Sequence, residues 1–204
     1  MFDDAGLDFV TIVASNSLDE RIIDELNRQG ACIDSYGVGE RLITSKSSPV
    51  FGGVYKLVAI EKNGEIVPKI KISENEAKIT NPHFKKVYSL YGRDTNKALA
   101  DVICLHDEDI DDTKDYEIFD PKFTWKRKLV YDFYKEELQV PIFKNGKLVY
   151  KLPTLEEIRQ HCKNEVERQW DEVKRFDNPH EYYVDLSQKL WDIKHNMLKV
   201  ENKK

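Results

Sequence analysis

Ser35-Tyr36-Gly37-Val38-Gly39-Glu40-Arg41-Leu42 is the stretch whose residue types and spacing best suit chemistry. It follows an apolar strand and a capped helix, and it reads as a strand that ends in a glycine turn. Backbone N–H groups in such a turn face an open site and hold phosphate in α/β proteins. Ser15-Asn16 ends the neighbouring apolar run, so two adjacent strand ends carry small polar or glycine residues. That leaves a shelf for a phosphate or a ribose. A Gly-x-Gly by itself is weak evidence, since glycine is common wherever φ is positive; its place at the end of a strand strengthens it. A carboxylate beside a phosphate repels it, so Glu40 either points away and offers only its N–H, pairs with Arg41, or binds a metal-linked water. The first is favoured, because amides do the holding in such turns.

The other reactive residues read as structural. Lys56, Lys69 and Lys71 fall on expected strands, with Lys69 and Lys71 on one face by period two; a solvated face is the simplest account. The acidic run Asp107 to Asp112 lacks the glycine and spacing of a calcium loop, and is expected to be an exposed loop. His83 and His180 each follow a proline and read as turn or helix-start residues. Cys32, Cys104 and Cys162 lie far apart with no Cys-x-x-Cys, as expected for reduced thiols in a cytoplasmic protein. Among 204 residues the net charge is -5, which argues against a nucleic-acid partner. No apolar run is long enough to span a membrane.

The elements that position the glycine turn follow from periodicity. Phe9 to Ser15 is apolar and β-branched without alternation, which suits a parallel strand buried on both faces. Ser17-Leu18-Asp19-Glu20 reads as a capping box, with Leu18, Ile22, Ile23 and Leu26 at helical spacing and Gly30 as a left-handed stop. Ile33 to Val38 is the next strand. After Pro49 the pattern changes to antiparallel pairs. Gly53 to Ile60 and Glu65 to Ile72 flank Asn63-Gly64, a hairpin signal. Lys85 to Tyr91 pairs with Ala98 to Leu105. Phe123 to Tyr134 and Leu148 to Tyr150 are further strands, with Asn145-Gly146 as a turn. Thr154 to Glu157 is a capping box opening a helix over 154–175, whose face is Leu155, Ile158, Cys162, Val166 and Val173. Ser187 to Val200 is a last helix with Leu190, Trp191 and Leu198 inward, and the tail 201–204 is solvated.

Several separate stretches resemble nicotinate phosphoribosyltransferase in order and spacing. They are Ile12-Val13-Ala14-Ser15-Asn16 with Leu18-Asp19-Glu20, Gly37 to Ser45, Phe51 to Ala59, Pro68 to Asn75 with Lys78 to Pro82, and Asn178 to Ser187. The resemblance covers nearly the whole chain. It implies an α/β fold: the last strands and helices of an irregular TIM-like barrel over residues 1–49, then a smaller α+β domain over 50–204. That domain would hold hairpins over 53–105 and 123–150 and helices over 154–175 and 187–200. It implies joining of nicotinate to phosphoribosyl pyrophosphate, giving nicotinate mononucleotide and pyrophosphate, with Mg²⁺ and coupled ATP hydrolysis. A cytoplasmic location and a homodimer, or a complementing N-terminal half, belong to the same expectation. By similarity Gly39 and the Glu40 backbone contact the 5-phosphate beside Gly37, Ser15 and Asn16 lie at the ribose, and Lys56 is a further phosphate or pyrophosphate contact. Family members often carry Thr where this chain has Glu40. The family's Gly-Thr-x-x-His-Ser stretch, with its phosphorylated histidine, and its Arg-x-Asp-Ser-Gly-Asp stretch do not occur in this sequence. Met1 to Gly6 resembles the end of the helix after the second of these, so the chain is expected to start inside a longer family member.

Overall fold

The computed structural model describes residues 1–50 and 52–201. Phe51, within one of the motifs above, and the tail 202–204 lie outside the described residues. The chain is a mixed α/β protein with open sheets, and it divides into two compact units, Met1–Tyr55 and Lys56–Lys204.

The first unit is a β-α-β arrangement. Strand β1 (Val13–Ser15) leads to helix α1 (Glu20–Arg28), strand β2 (Ser35–Gly37) and the short helix α2 (Glu40–Ile43). β1 and β2 are parallel, with Val13 opposite Ser35, Ala14 opposite Tyr36 and Ser15 opposite Gly37. Both strands are shorter than expected. Burial of β1 on both faces is not found: Val13 is 62% exposed, and Leu18 is the one buried hydrophobic residue among those described in this unit. A strand is covered on both faces only when helices pack against both, and the described part of the unit has too few elements for that. The expected capping box also moves. Asn16 and Ser17 take φ of 98° and 52°, which turns the chain before the helix can start. Asp19 is the N-cap instead, its carboxylate accepting the Ile22 N–H at 3.0 Å. Gly30 stops the helix at φ 76° as its sequence position requires.

The second unit opens with the hairpin β3 (Ala59–Lys62) and β4 (Glu65–Pro68), turning at Asn63-Gly64. Its strands are half the expected length. Lys56 therefore precedes β3, and Lys69 and Lys71 lie beyond β4, where Lys69 N–H bonds the Val58 carbonyl and Lys71 N–H the Thr80 hydroxyl. Next come β5 (Lys85–Gly92), β6 (Ala98–Leu105), β7 (Tyr116–Phe119), β8 (Arg127–Val130) and β9 (Phe133–Glu137). A hairpin β10 (Phe143–Lys144) and β11 (Lys147–Leu148) turns at Asn145-Gly146 and precedes helices α3 (Leu155–Arg168) and α4 (Asp171–Lys174). Strand β12 (Val184–Leu186) and helix α5 (Gln188–Glu201) finish the unit.

The central sheet runs β12-β6-β5-β9, with β12 parallel to β6 and the other pairs antiparallel. Strict alternation in β6 puts Ala100, Val102 and Cys104 on the buried face, where they meet Leu90, Ile110, Ile118, Val130 and Phe133. A second cluster joins Leu105 and Leu186 to Leu190 of α5, with Trp191 packed against it. Burial pushes the Cys104 thiol up to about 11, so it behaves as a small hydrophobe.

Three expectations change here. The span Phe123 to Tyr134 is two strands, because Asp132 adopts φ 47° and breaks the run. The acidic loop is not simply solvated. Ile110 is buried in the core, Asp109 accepts from the Tyr88 hydroxyl at 2.9 Å and pairs with Lys135, and Glu108 accepts from Ser187 Oγ at 2.7 Å. The long helix ends at Arg168, and its apolar residues Leu155, Ile158, Cys162 and Val166 are exposed rather than packed inward. The Thr154 capping box forms as read, with Glu157 reaching back to the Thr154 N–H at 2.6 Å.

The last residue of α3 ties the helix to the sheet, alongside Lys97, whose Nζ donates to the Glu167 carbonyl at 2.8 Å. The Arg168 guanidinium stacks on the Tyr91 ring at 3.4 Å, grips Glu136 of β9 at 2.7 and 2.9 Å, and donates to the Tyr134 hydroxyl at 2.8 Å. These charge-assisted contacts raise the Arg168 pKa further still. Glu136 is half-exposed, so solvent screens the pair. Replacing Arg168 with Met keeps the stem and removes the fork. A loss of about 1–2 kcal/mol is expected. Hydrogen exchange should quicken across α3 while β5 and β6 stay protected.

Candidate functional site

The parallel register aligns the carboxyl ends of β1 and β2, so Ser15 and Gly37 sit side by side. A Cβ built on Gly37 would lie 3.2 Å from Ser15 Oγ, 3.4 Å from Ser15 Cβ and 3.7 Å from the Ala14 carbonyl. Gly37 therefore lets the two strand ends close up. Two consecutive non-glycine residues at positive φ, Asn16 and Ser17, follow β1 directly. Such backbone persists only where its surroundings hold it, and it clusters at ligand sites.

Gly39 caps α2 with its carbonyl, which accepts from the Leu42 N–H at 3.0 Å and the Ile43 N–H at 3.1 Å. The Glu40 and Arg41 amides precede the first of these bonds. First-turn N–H groups have no partner within their own helix, so they are the ones an anion can use. A side chain at Gly39 would meet nothing within 4 Å, so the space in front of this turn is open.

The side chains around the turn are tied to α1. Arg41 pairs with Asp19 rather than with Glu40, leaving the Glu40 residue exposed. The Ile22 N–H, with Arg41 beside it, holds the Asp19 carboxylate below its ordinary range. Tyr36 donates to Asn27 Oδ1 at 2.7 Å, linking β2 to α1. Asp34 Oδ2 accepts from the Ile12 N–H at 2.7 Å, and the Asp34 N–H returns to the Ile12 carbonyl at 3.0 Å, which closes the strands on each other just before the paired region.

The first unit thus brings together Ser15, Asn16, Gly37, Gly39 and Glu40. Lys56 is the first residue of the second unit. The sequence reading missed the pairing of Arg41 with Asp19. Their pairing spans 22 residues and joins two helix starts, so no local pattern marks it. Among the described residues no three His, Cys, Asp or Glu side chains gather to hold a metal, and no helix is long and apolar enough to cross a membrane.

Comparison with known proteins gives the setting. A family model for the nicotinate phosphoribosyltransferase C-terminal domain matches residues 84–194. Nicotinate phosphoribosyltransferase of Bacillus subtilis (strain 168) is 42% identical over 194 residues, which is 95% of this chain and 40% of that protein. The protein of the same name from Dictyostelium discoideum is 35% identical over 208 residues, 92% of this chain and 32% of its own length. The crystal structure of human nicotinic acid phosphoribosyltransferase superposes with a TM-score of 0.70 at 26% identity, covering 95% of this chain and 34% of the human one. The chain thus spans 40% or less of the length of each of these relatives. It belongs to the nicotinate phosphoribosyltransferase family, and its residues 84–194 are that family's C-terminal domain.

Proposed function

We propose that this chain is the C-terminal part of a nicotinate phosphoribosyltransferase, an enzyme of pyridine nucleotide biosynthesis. The reaction joins nicotinate to phosphoribosyl pyrophosphate, giving nicotinate mononucleotide and pyrophosphate, with coupled ATP hydrolysis. In this reading residues 1–49 end a TIM-like barrel and residues 50–204 form the C-terminal α+β domain of a cytoplasmic protein. It works as a homodimer or with an N-terminal half supplied separately.

The register that sets Ser15 beside Gly37, directly before the start of α2, is the observation that carries the proposal. The 5-phosphate of the phosphoribosyl group lies against the Glu40 and Arg41 amides, with Gly37 and Gly39 keeping side chains out of its place. Ser15 and Asn16 offer polar groups to the ribose. Bond breaking at the ribose builds positive charge on the sugar, and the chain's contribution is to fix one end of it. Arg41 is held by Asp19, so its guanidinium steadies the turn. Mg²⁺ neutralises pyrophosphate in such reactions, and the part proposed for these residues is to bind and orient the phosphoribosyl group.

Phosphorus NMR of the 204-residue chain titrated with ribose 5-phosphate tests the cradle. Gly37→Val places branched carbons against Ser15 and should weaken binding at least tenfold, with the circular dichroism spectrum unchanged. Equal binding by the two proteins rejects the cradle. A nicotinate-dependent release of pyrophosphate is not expected from these residues alone, since neither the Gly-Thr-x-x-His-Ser nor the Arg-x-Asp-Ser-Gly-Asp stretch occurs in them. It is expected once an N-terminal half of a family member is added.

A further inference from the structure

The second unit contains a groove of about 1220 Å³, bounded by the β7–β8 hairpin, by Trp170 and Val173, and by the segment leading into β12. Drug-sized and nucleotide-sized ligands occupy cavities of roughly 300–1,000 Å³, so it is large enough for one. It lies wholly within that unit and shares no residue with the phosphate turn.

Asp185 lines this groove from the edge strand β12 and is only 4% exposed. Among the described residues no side chain or amide donates to its carboxylate, and its one charged neighbour is another acid, Asp120. Asp120 is already engaged, accepting the Lys122 and Phe123 N–H groups at 2.8 and 3.0 Å. A buried carboxylate without a donor is expensive, and proteins keep such groups paired. Its oxygens are not fully enclosed, since the enclosed side-chain atoms without a partner among the described residues are Arg41 Nε and Arg168 Nε, so the carboxylate meets the groove and can accept from a ligand that brings its own N–H groups.

The walls match a ring with an anion attached. Tyr183, two residues before Asp185, also lines the groove and is 54% exposed. Lys128 Nζ leans over the Tyr183 ring at 5.8 Å, and Lys126 Nζ over Phe123 at 4.5 Å. Neither lysine forms an ion pair among the described residues, although Lys126 lies near enough to Asp120 to act on its charge, whereas Arg127 pairs with Glu117 and Lys122 with Glu76. Trp170 adds a half-exposed ring whose Nε1 is held by the Ala98 carbonyl at 2.8 Å. Glu172 and Glu181 on the rim offset part of the positive charge. A bare polyanion gains little in such a mixed field. A molecule with donors at one end and an anion at the other gains at both.

We propose that this groove binds a guanine mononucleotide, with the adjacent ring N–H and amino group of guanine donated to the two oxygens of Asp185 and the phosphate lying at Lys126 and Lys128. A carboxylate accepts two parallel N–H bonds readily, and guanine presents two donors side by side. Adenine presents only its amino group at a comparable edge. The exposed rings of Tyr183 and Trp170 supply stacking surface.

Calorimetric titration of the 204-residue chain with GMP, AMP, guanosine and inorganic phosphate tests this. GMP should bind at least tenfold more tightly than AMP or phosphate. Asp185→Asn should weaken GMP at least tenfold. Lys126→Gln with Lys128→Gln should weaken GMP several-fold and leave guanosine unchanged. Gly37→Val, which damages the phosphate turn, should leave GMP binding intact, so this assignment and the cradle fail separately. Equal affinity for GMP and AMP, or GMP binding untouched by Asp185→Asn in a protein that melts as a folded chain, overturns the assignment. So does GMP binding abolished by Gly37→Val.

Discussion

Phe133→Ala should destabilise the second unit by about 3–5 kcal/mol, the range for truncating a buried phenylalanine. Its ring is fully buried, at the start of β9, among Leu90, Val102, Ile118 and Val130. Gly92 of β5 stands opposite it in the ladder, so the position directly across carries no side chain to fill the space. The cavity should therefore stay open, which sets the loss toward the upper end. A change of that size lowers the melting temperature of a unit this large by roughly 10 °C. Trp125→Ala is the control, since Trp125 is 76% exposed and its removal should change stability by no more than about 0.5 kcal/mol. Thermal melts followed by near-ultraviolet circular dichroism read both. Similar melting of the two variants would mean that the core is not centred on β5, β6 and β9.

Phe133 also shows where the sequence is readable and where it is not. Apolar and β-branched content marks residues 123–134 as strand. Nothing in that content reveals that Asp132 turns at positive φ, so that β8 pairs with β7 while β9 crosses to β5. Asp tolerates the left-handed region because its short side chain bonds locally, and the same residue type is common inside loops and at caps. Turns with glycine are legible: Asn63-Gly64 and Asn145-Gly146 both fall where the hairpins turn. So are caps within one turn of a helix, as at Thr154. At the start of α1, two cap candidates two residues apart compete, and the backbone at Asn16 and Ser17 decides for Asp19. The glycine turn was readable because its logic is local. The Arg41–Asp19 pair, the parallel pairing of β12 with β6 and the solitary carboxylate of Asp185 depend on contacts across many residues, and periodicity is silent about them.

That solitary carboxylate leads to the second large effect. Burial, with Asp120 adding repulsion, pushes the Asp185 carboxyl up to about 6. The unfolded chain has an ordinary aspartate near 3.9. Between these values the folded protein binds the proton more tightly, so stability falls as the pH rises through that window. Below about pH 4 both states are protonated and Asp185 costs nothing. Above about pH 6 the full loss is present, about 3 kcal/mol for a separation of roughly two pH units. Asp185→Asn removes the charge while keeping the shape. It should match the parent at pH 4 and melt roughly 5–10 °C higher at pH 7.5. The other groups around the groove, Asp120, Glu172, Glu181, Lys122, Lys126, Arg127, Lys128, His180 and Tyr182, are common to both proteins and largely cancel in the difference. GMP at saturating concentration should narrow the gap at pH 7.5 by stabilising the parent alone. A difference between the two proteins that is flat from pH 4 to 7.5 would mean that Asp185 is solvated or paired in solution. The groove would then lack the uncompensated charge that makes a donor-bearing ligand favourable.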